Sequence, residues 1–337
     1  MDSVWALAKK NRYQVYDIDK SGISALIKIT SSCRSRCRYC LSWQTAQKIL
    51  SINEIDHIIN DIQKFKGHRI ILSGGEPTTH PEFALIVKKF NEIDTHLNII
   101  TDGQYSCGSS WVSMVNEITF SVDTYSSDIY RYIRGIDGLQ NALENISWAV
   151  KKGINVSVNI VLTHQSLESL EKTVDILVNK GVSRIYFLEL ETHLIVGNSL
   201  LPTNDDMSEL LQKTLPSLRR KHPGIIPENT LFFSNKNRDN SRINSCIIPW
   251  MHMTIRPNGN VYPCCRIGDD TPKGNDISFC LGNVKETSLR VMWRSLRRKQ
   301  IQATIANTPP LPCLKCTIGK LFQNEEKVWS QIESIRM

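Results

Sequence analysis

Ala25-Leu26-Ile27-Lys28-Ile29-Thr30-Ser31-Ser32-Cys33-Arg34-Ser35-Arg36-Cys37-Arg38-Tyr39-Cys40 joins a short β-rich run, residues 25–29, to a loop with three cysteines in the pattern Cys-x3-Cys-x2-Cys. Outward from this stretch, further β-rich runs lie at residues 69–73, 98–100, 117–122, 155–162 and 183–190, separated by helical patterns. Strands alternating with helices predict parallel βα units and an α/β fold. The first helix is well marked: Ser51 and Glu54 form a capping-box pattern, and Ile52, Ile55, Ile59, Ile62 and Phe65 make an apolar stripe that Gly67 stops. A later helix over 139–152 ends at Gly153 in the same way. Parallel βα folds bind ligands beyond the carboxyl ends of their strands. There the sequence places Cys33, Cys37 and Cys40, then Gly74, Gly75 and Glu76, then Ser121 and Asp123, and last Glu189 and Glu191.

The bulk properties admit an enzyme. A chain of 337 residues, 41% hydrophobic and 22% charged, can bury one large core or one of about 200 residues with a smaller partner. No apolar run reaches the roughly 18 residues of a membrane span, and residues 1–20 have no signal-like apolar stretch, so a cytoplasmic protein with no membrane partner is expected. The net charge of +8 is spread along the chain, with small concentrations at Arg219, Arg220 and Lys221 and at Arg294, Arg297, Arg298 and Lys299. These runs read as solvated helix faces, or as docking patches for an acidic electron donor such as a flavodoxin or ferredoxin. Without interleaved aromatics or a recognisable module, they argue against nucleic acid. The ten cysteines gather in one amino-terminal and one carboxy-terminal group, with only Cys107 between. In a reducing compartment such clusters point to metal or iron-sulfur ligation rather than disulfides.

Three thiolates in one loop are what a cubane needs if three irons are held by protein and the fourth is left open. A zinc loop or free thiols are the alternatives, and zinc normally requires a fourth ligand. The next strand runs into Leu72-Ser73-Gly74-Gly75-Glu76-Pro77, where two glycines permit close backbone approach and a carboxylate can hold an ammonium group. With this motif at this distance from the cysteine loop, the chain resembles the radical S-adenosylmethionine (SAM) superfamily. The resemblance implies a partial (β/α)6 TIM-type barrel over 23–200, a [4Fe-4S] cluster on Cys33, Cys37 and Cys40, and SAM on its open iron. It further implies that Gly74, Gly75 and Glu76 receive the methionine amino group, that Tyr39 lies near the adenine, and that Ser121, Arg134 and Asn159 contact the rest of SAM. Asp123, Glu189, Glu191 and His193 line the same predicted mouth and are candidates for acid/base or substrate-binding work.

Beyond a polar connector at 201–243, expected to hold one helix, Cys246 and Cys264 flank a Pro257-Asn258-Gly259-Asn260 turn, and Cys313-x2-Cys316 follows. This stretch, with the amino-terminal extension 1–22 the other segment outside the barrel, resembles the SPASM and Twitch extensions of radical SAM enzymes. It implies a small cysteine-rich α+β domain over 244–337. Because no cysteine follows Cys316, one auxiliary [4Fe-4S] cluster on Cys246, Cys264, Cys313 and Cys316 is expected, with Cys265 or Cys280 as substitutes and a structural zinc as the alternative.

The expected activity is reductive cleavage of SAM to a 5'-deoxyadenosyl radical that abstracts a hydrogen atom. Dehydrogenation or epimerisation of a sugar or aminocyclitol leads. A peptide-modifying enzyme comes next, weighed down by the roughly 22 residues before the first strand; a tRNA-modifying enzyme follows. A non-catalytic iron-sulfur carrier would leave the three-cysteine loop and Glu76 without purpose. Epimerisation needs a hydrogen-atom donor, for which Cys107, Cys265 and Cys280 are the spare thiols. Dehydrogenation needs an electron-accepting auxiliary cluster and a base such as Asp123, Glu189 or His193, and it is slightly preferred.

Overall fold

In Ile23–Thr30 (β1) the period-2 alternation sends Ala25, Ile27 and Ile29, all fully buried, to one face and Lys28 and Thr30 to the other. The computed structural model describes residues 23–65, 68–190, 198–227, 248–268, 277–308, 310 and 313. After β1 come α1 (Ile52–Ile62), β2 (His68–Gly74), α2 (Phe83–Asn91), β3 (His96–Thr101), β4 (Glu117–Ser121), α3 (Ser127–Arg134), α4 (Leu139–Lys151), β5 (Asn155–Leu162), α5 (Leu170–Asn179) and β6 (Arg184–Glu189). All neighbouring pairs from β1 to β6 are parallel, which makes an open, partial βα barrel with helices on its outer face. Expected and observed strands agree to within two residues at each end. The Ser51–Glu54 capping box is formed on both sides, while α1 stops at Ile62 and Phe65 is buried just past it.

The alternation separates two environments. Ile70, Leu72, Ile99, Phe120, Val158 and Ile160 join the core under the helices. Several of the opposite positions are polar: Asn98, Thr119 and Ser157 are hydrogen-bonded across three strands on the inner face, and Ser121, Asn159 and Tyr186 stand in register above them.

Within the expected connector, helical segments Asn204–Glu209, Leu210–Thr214 and Leu215–Lys221 follow without a break. The middle one is a π-turn of five residues that contains Gln212, whose carbonyl lies four residues before Pro216 and cannot be bonded by it, so the wider turn absorbs the proline.

The cysteine-rich module continues the sheet of the barrel. β7 (His252–Ile255) pairs in parallel with β1, and β8 (Asn260–Tyr262) and β9 (Gly282–Asn283) continue antiparallel, giving the order β6-β5-β4-β3-β2-β1-β7-β8-β9. Helix α6 (Leu289–Arg294) docks on α1, where the Asp61 carboxylate accepts from Leu289 N at 2.6 Å; Lys285 Nζ lies 3.1 Å from Glu54 Oε1. Helix α7 (Leu296–Asn307) follows.

Candidate active site at the mouth of the barrel

The cysteine loop is strapped down on three sides. Gly75 N and Glu76 N donate to Thr30 O and Ser32 O, both at 2.8 Å. A Cβ on Gly74 would lie 2.2 Å from Thr30 O and one on Gly75 2.3 Å from Ser32 O, so only glycines let the two loops touch. On the second side, the last carbonyls of α3 receive the loop: Arg36 N donates to Arg134 O and Arg38 N to Ile133 O, both at 2.9 Å. Gly135 caps that helix at φ +65°, and any side chain there would meet Arg36. On the third side Ser35 Oγ donates to Asp102 Oδ2 at 2.6 Å.

Glu76 is 1% exposed and accepts from four donors: Thr78 N, Thr78 Oγ1 and Thr101 Oγ1 reach Oε1, and Asp102 N reaches Oε2 at 2.7 Å. Burial and the nearby Asp102 carboxylate push its pKa up to about 8, against those hydrogen bonds. The carboxylate therefore braces the ends of β2 and β3, with a lone pair of Oε2 still open to a further donor.

Asp123 sits in a setting different from the one expected of an acid/base group. Fully buried, it accepts from Arg134 Nε at 2.8 Å and Tyr39 OH at 3.0 Å on Oδ2, and from Val161 N at 2.9 Å on Oδ1. Burial opposes the Arg134 charge, but Asp123 more than compensates and holds the guanidinium's pKa well above its ordinary value. Arg134 Nη1 is 4.0 Å from Cys37 Sγ, so the expected SAM-contacting arginine, Tyr39 and Asp123 form one cluster behind the cysteine loop. Ser121 and Asn159 are in-register neighbours. Glu189 closes β6 opposite Leu162, on the helix-facing side of the sheet, and Tyr186 takes the inner position beside Asn159. Glu191 and His193 lie outside the described residues. Cys107 is exposed on the loop after β3.

The donor set fits an iron-sulfur cluster. Burial pushes the Cys37 thiol up to about 12, with Arg134 opposing and Cys40 adding to the rise, and raises Cys33 further. Buried thiols that resist ionisation unless a metal takes the proton's place are suited to ligation. Among the described residues no three His, Cys, Asp or Glu side chains converge on one ion; a cubane takes each thiolate on a different iron, a wider arrangement than zinc requires.

In the second cysteine group Cys264 is buried and its Sγ accepts from Ile267 N at 3.4 Å. Cys313 and Cys265 are half-buried, Cys280 is buried with Sγ donating to Gly282 O, and Cys246 and Cys316 lie outside the described residues. Because Leu26 pairs with Thr254 and Thr254 with Tyr262, β8 runs back toward the start of β1. Cys264 thus lies toward the end of the sheet opposite Cys33. A cleft of about 620 Å³ also opens between the start of α5 and the helical segments over 204–214, lined by Tyr125, His164, Glu168, Glu171, Asp206 and Glu209 among others.

Sequence reasoning missed Ser35, Thr101, Asp102 and Tyr186. Period-2 alternation along β6 would have found Tyr186; the others meet only through tertiary contact.

A model of the radical SAM superfamily matches residues 27–177, and a model of the SPASM iron-sulfur cluster-binding domain matches residues 246–317. The chain is a radical SAM protein with a carboxy-terminal SPASM domain. As such it uses a [4Fe-4S] cluster with SAM, and auxiliary iron-sulfur binding in the SPASM domain. The tungsten-containing aldehyde ferredoxin oxidoreductase cofactor-modifying protein of Pyrococcus furiosus is 23% identical over 322 residues, 87% of this chain and 86% of that one. A probable GTP 3',8-cyclase of Sulfurisphaera tokodaii is 22% identical over 171 residues, 49% of this chain; this radical SAM protein spans about half, 55%, of that relative's length. Among solved structures, Streptococcus suis SuiB bound to S-adenosylmethionine superposes with a TM-score of 0.66 at 16% identity, over 95% of this chain and 78% of that one. Native anSMEcpe with bound AdoMet gives 0.67 at 15% identity, over 89% and 88%. These likenesses show a shared fold. Among the described residues no helix is long and apolar enough to cross a membrane.

Proposed function

We propose that this radical SAM protein dehydrogenates a polar, hydroxyl-bearing substrate of the sugar or aminocyclitol kind, held on the polar inner face of the barrel. When bound, the cluster supplies the electron that splits SAM into methionine and a 5'-deoxyadenosyl radical. Cys33, Cys37 and Cys40 would hold it. The Gly74-Gly75 backbone and Oε2 of Glu76 would receive the methionine amino group. Asp123 and Tyr39 would aim Arg134, and Ser121 and Asn159 would contact the ribose side of SAM. Tyr186, next in that row, would meet the substrate. The observation that carries the reading is that Cys264 follows β8 toward the end of the sheet opposite Cys33, which supports a second cysteine group set apart from the SAM-cleaving loop and available to hold an electron acceptor. Cys107, exposed to solvent, is poorly protected for quenching a substrate radical, which favours oxidation over epimerisation.

The test uses anaerobically cluster-loaded protein with SAM, dithionite and a panel of sugars and aminocyclitols. Replacing Cys33, Cys37 and Cys40 by Ala should abolish 5'-deoxyadenosine. Cys264→Ala should leave SAM cleavage and remove the product, which is two hydrogen masses lighter than the substrate. A product of unchanged mass carrying one solvent deuterium would show epimerisation and overturn the reading.

A second reading, peptide modification, is favoured by the carboxylate-flanked cleft of about 620 Å³ lined by Glu168, Glu171, Asp206 and Glu209, whose volume suits a peptide segment. SuiB and anSMEcpe, which share the fold, have been solved with peptides bound. A peptide rather than a sugar stimulating 5'-deoxyadenosine formation would select this reading.

A further inference from the structure

Between Ser31 and Leu50 the chain carries Arg34, Arg36, Arg38 and Lys48 and no acidic residue. The three arginines alternate with Ser35 and Cys37: the arginines are exposed, the residues between them buried. Each guanidinium is satisfied by a backbone carbonyl instead of a carboxylate. Arg34 Nη1 donates to Gln104 O at 2.6 Å, Arg36 Nη1 to Cys33 O, and Arg38 Nε to Tyr132 O at 2.8 Å. Arg36 also lies over the Trp43 ring and Arg38 over Tyr132, at 5.3 and 4.2 Å from the centroids. No described carboxylate pairs with any of the three, whereas Arg131 on the adjoining helix is matched by Asp128 and Asp137 at 3.5 and 3.3 Å. The result is a surplus of positive charge, held in place by stacking and carbonyl contacts, within two residues of each cysteine of the loop.

In the two runs that the sequence singles out as docking patches only some side chains share this character, and neither run borders the cysteine loop in sequence. Lys221 pairs with Asp175, which His222 also contacts, and Arg219 donates to Pro227 O. Arg298 is buried against Trp293 and the carbonyls of Pro249 and Trp250, and Arg297 donates to the carbonyls of Ile277, Ser278 and Cys280.

We propose that the face formed by Arg34, Arg36 and Arg38 is the docking surface for an acidic one-electron carrier protein of the flavodoxin kind. The proposal rests on Cys33, Cys37 and Cys40 being the cluster loop. Fixed cations complementary to an acidic surface steer encounter and fix orientation, and the pinned guanidinium groups lose little further freedom on binding. One electron passes per encounter: the carrier's flavin hydroquinone becomes the semiquinone, releasing a proton if the semiquinone is anionic, and the cluster gains that electron.

The experiment compares cluster-loaded wild type with Arg34→Glu/Arg38→Glu and Arg34→Lys/Arg38→Lys, leaving Arg36 to hold the loop. The rate of 5'-deoxyadenosine formation is measured with dithionite and, separately, with reduced flavodoxin at low and high salt. With dithionite all three proteins should agree within about twofold. With flavodoxin at low salt the Glu variant should be slower by roughly tenfold or more, the Lys variant should keep most of the rate, and the wild-type rate should fall as salt rises. Binding of oxidised flavodoxin by surface plasmon resonance should follow the same order, which reads the docking even if the Glu variant loads its cluster poorly. Equal flavodoxin-driven rates and equal binding in wild type and Glu variant would overturn the proposal. So would loss of binding to an RNA oligonucleotide alone, which would make the patch a nucleic-acid surface. Wild type that cleaves no SAM with dithionite would instead overturn the cluster-loop reading on which the proposal stands.

Discussion

At the scale of single residues, the site is governed by groups that water cannot reach. Arg134 and Asp123 are 4% and 0% exposed. Removing one partner of such a pair strands the other charge. Asp123→Ala should therefore cost about 3–5 kcal/mol in chemical denaturation, and Asp123→Asn less because the amide still accepts from Tyr39 or Val161 N. Arg131→Ala, which deletes an exposed pair on the same helix, should cost less than about 1 kcal/mol. A loss as small for Asp123→Ala would show that the buried pair contributes no more than the surface one. The motif residues were legible because cysteine spacing and paired glycines carry their chemistry in the chain itself. Ser35 and Asp102 were not, since a serine and an aspartate 67 positions apart have no sequence signal that they touch.

At the scale of elements, α1 begins where local chemistry dictates. Glu54 N donates to Ser51 Oγ at 3.3 Å and Ser51 N to Glu54 Oε2 at 2.7 Å, so two amide groups that the helix cannot satisfy find partners within four residues. Ser51→Ala should lower stability by about 1 kcal/mol without changing the strand register, read as a shifted denaturation midpoint with unaltered slope. No shift would mean that the docking of α6 on Asp61, rather than the cap, sets where α1 starts. Strand cores were legible from period-2 alternation. Ends drifted by one or two residues because the last ladder hydrogen bonds depend on the neighbouring strand. The inward turn of Tyr186 and the outward turn of Glu189 follow from the same alternation counted one residue further.

At the scale of the whole molecule, the barrel and the cysteine-rich module share a sheet, and their joint contains a buried histidine. His252 on β7 meets Ser24 of β1 through Nδ1 at 3.1 Å and Thr254 through Nε2 at 3.3 Å, and burial depresses its pKa to about 4. Unfolded, the same imidazole titrates near 6.5, so between these values the unfolded chain binds more protons and stability falls as pH falls. The stabilising contribution is complete above about pH 6.5, and about 2 kcal/mol of it is lost between pH 7.5 and pH 5. His252→Gln should show a smaller fall in denaturation midpoint over that range; an equal fall would assign the pH sensitivity elsewhere. The sequence by itself determined the α/β class, the cysteine loop, the Gly-Gly-Glu brace and the presence of a cysteine-rich module, because each is written in local spacing and periodicity. Only the tertiary structure decided that β7 pairs with β1, that Asp123 serves Arg134, and that the uncompensated charge lies on the cysteine loop. Strand order, burial and the matching of charges are properties of residues far apart in the chain, and become definite only when the backbone brings them together.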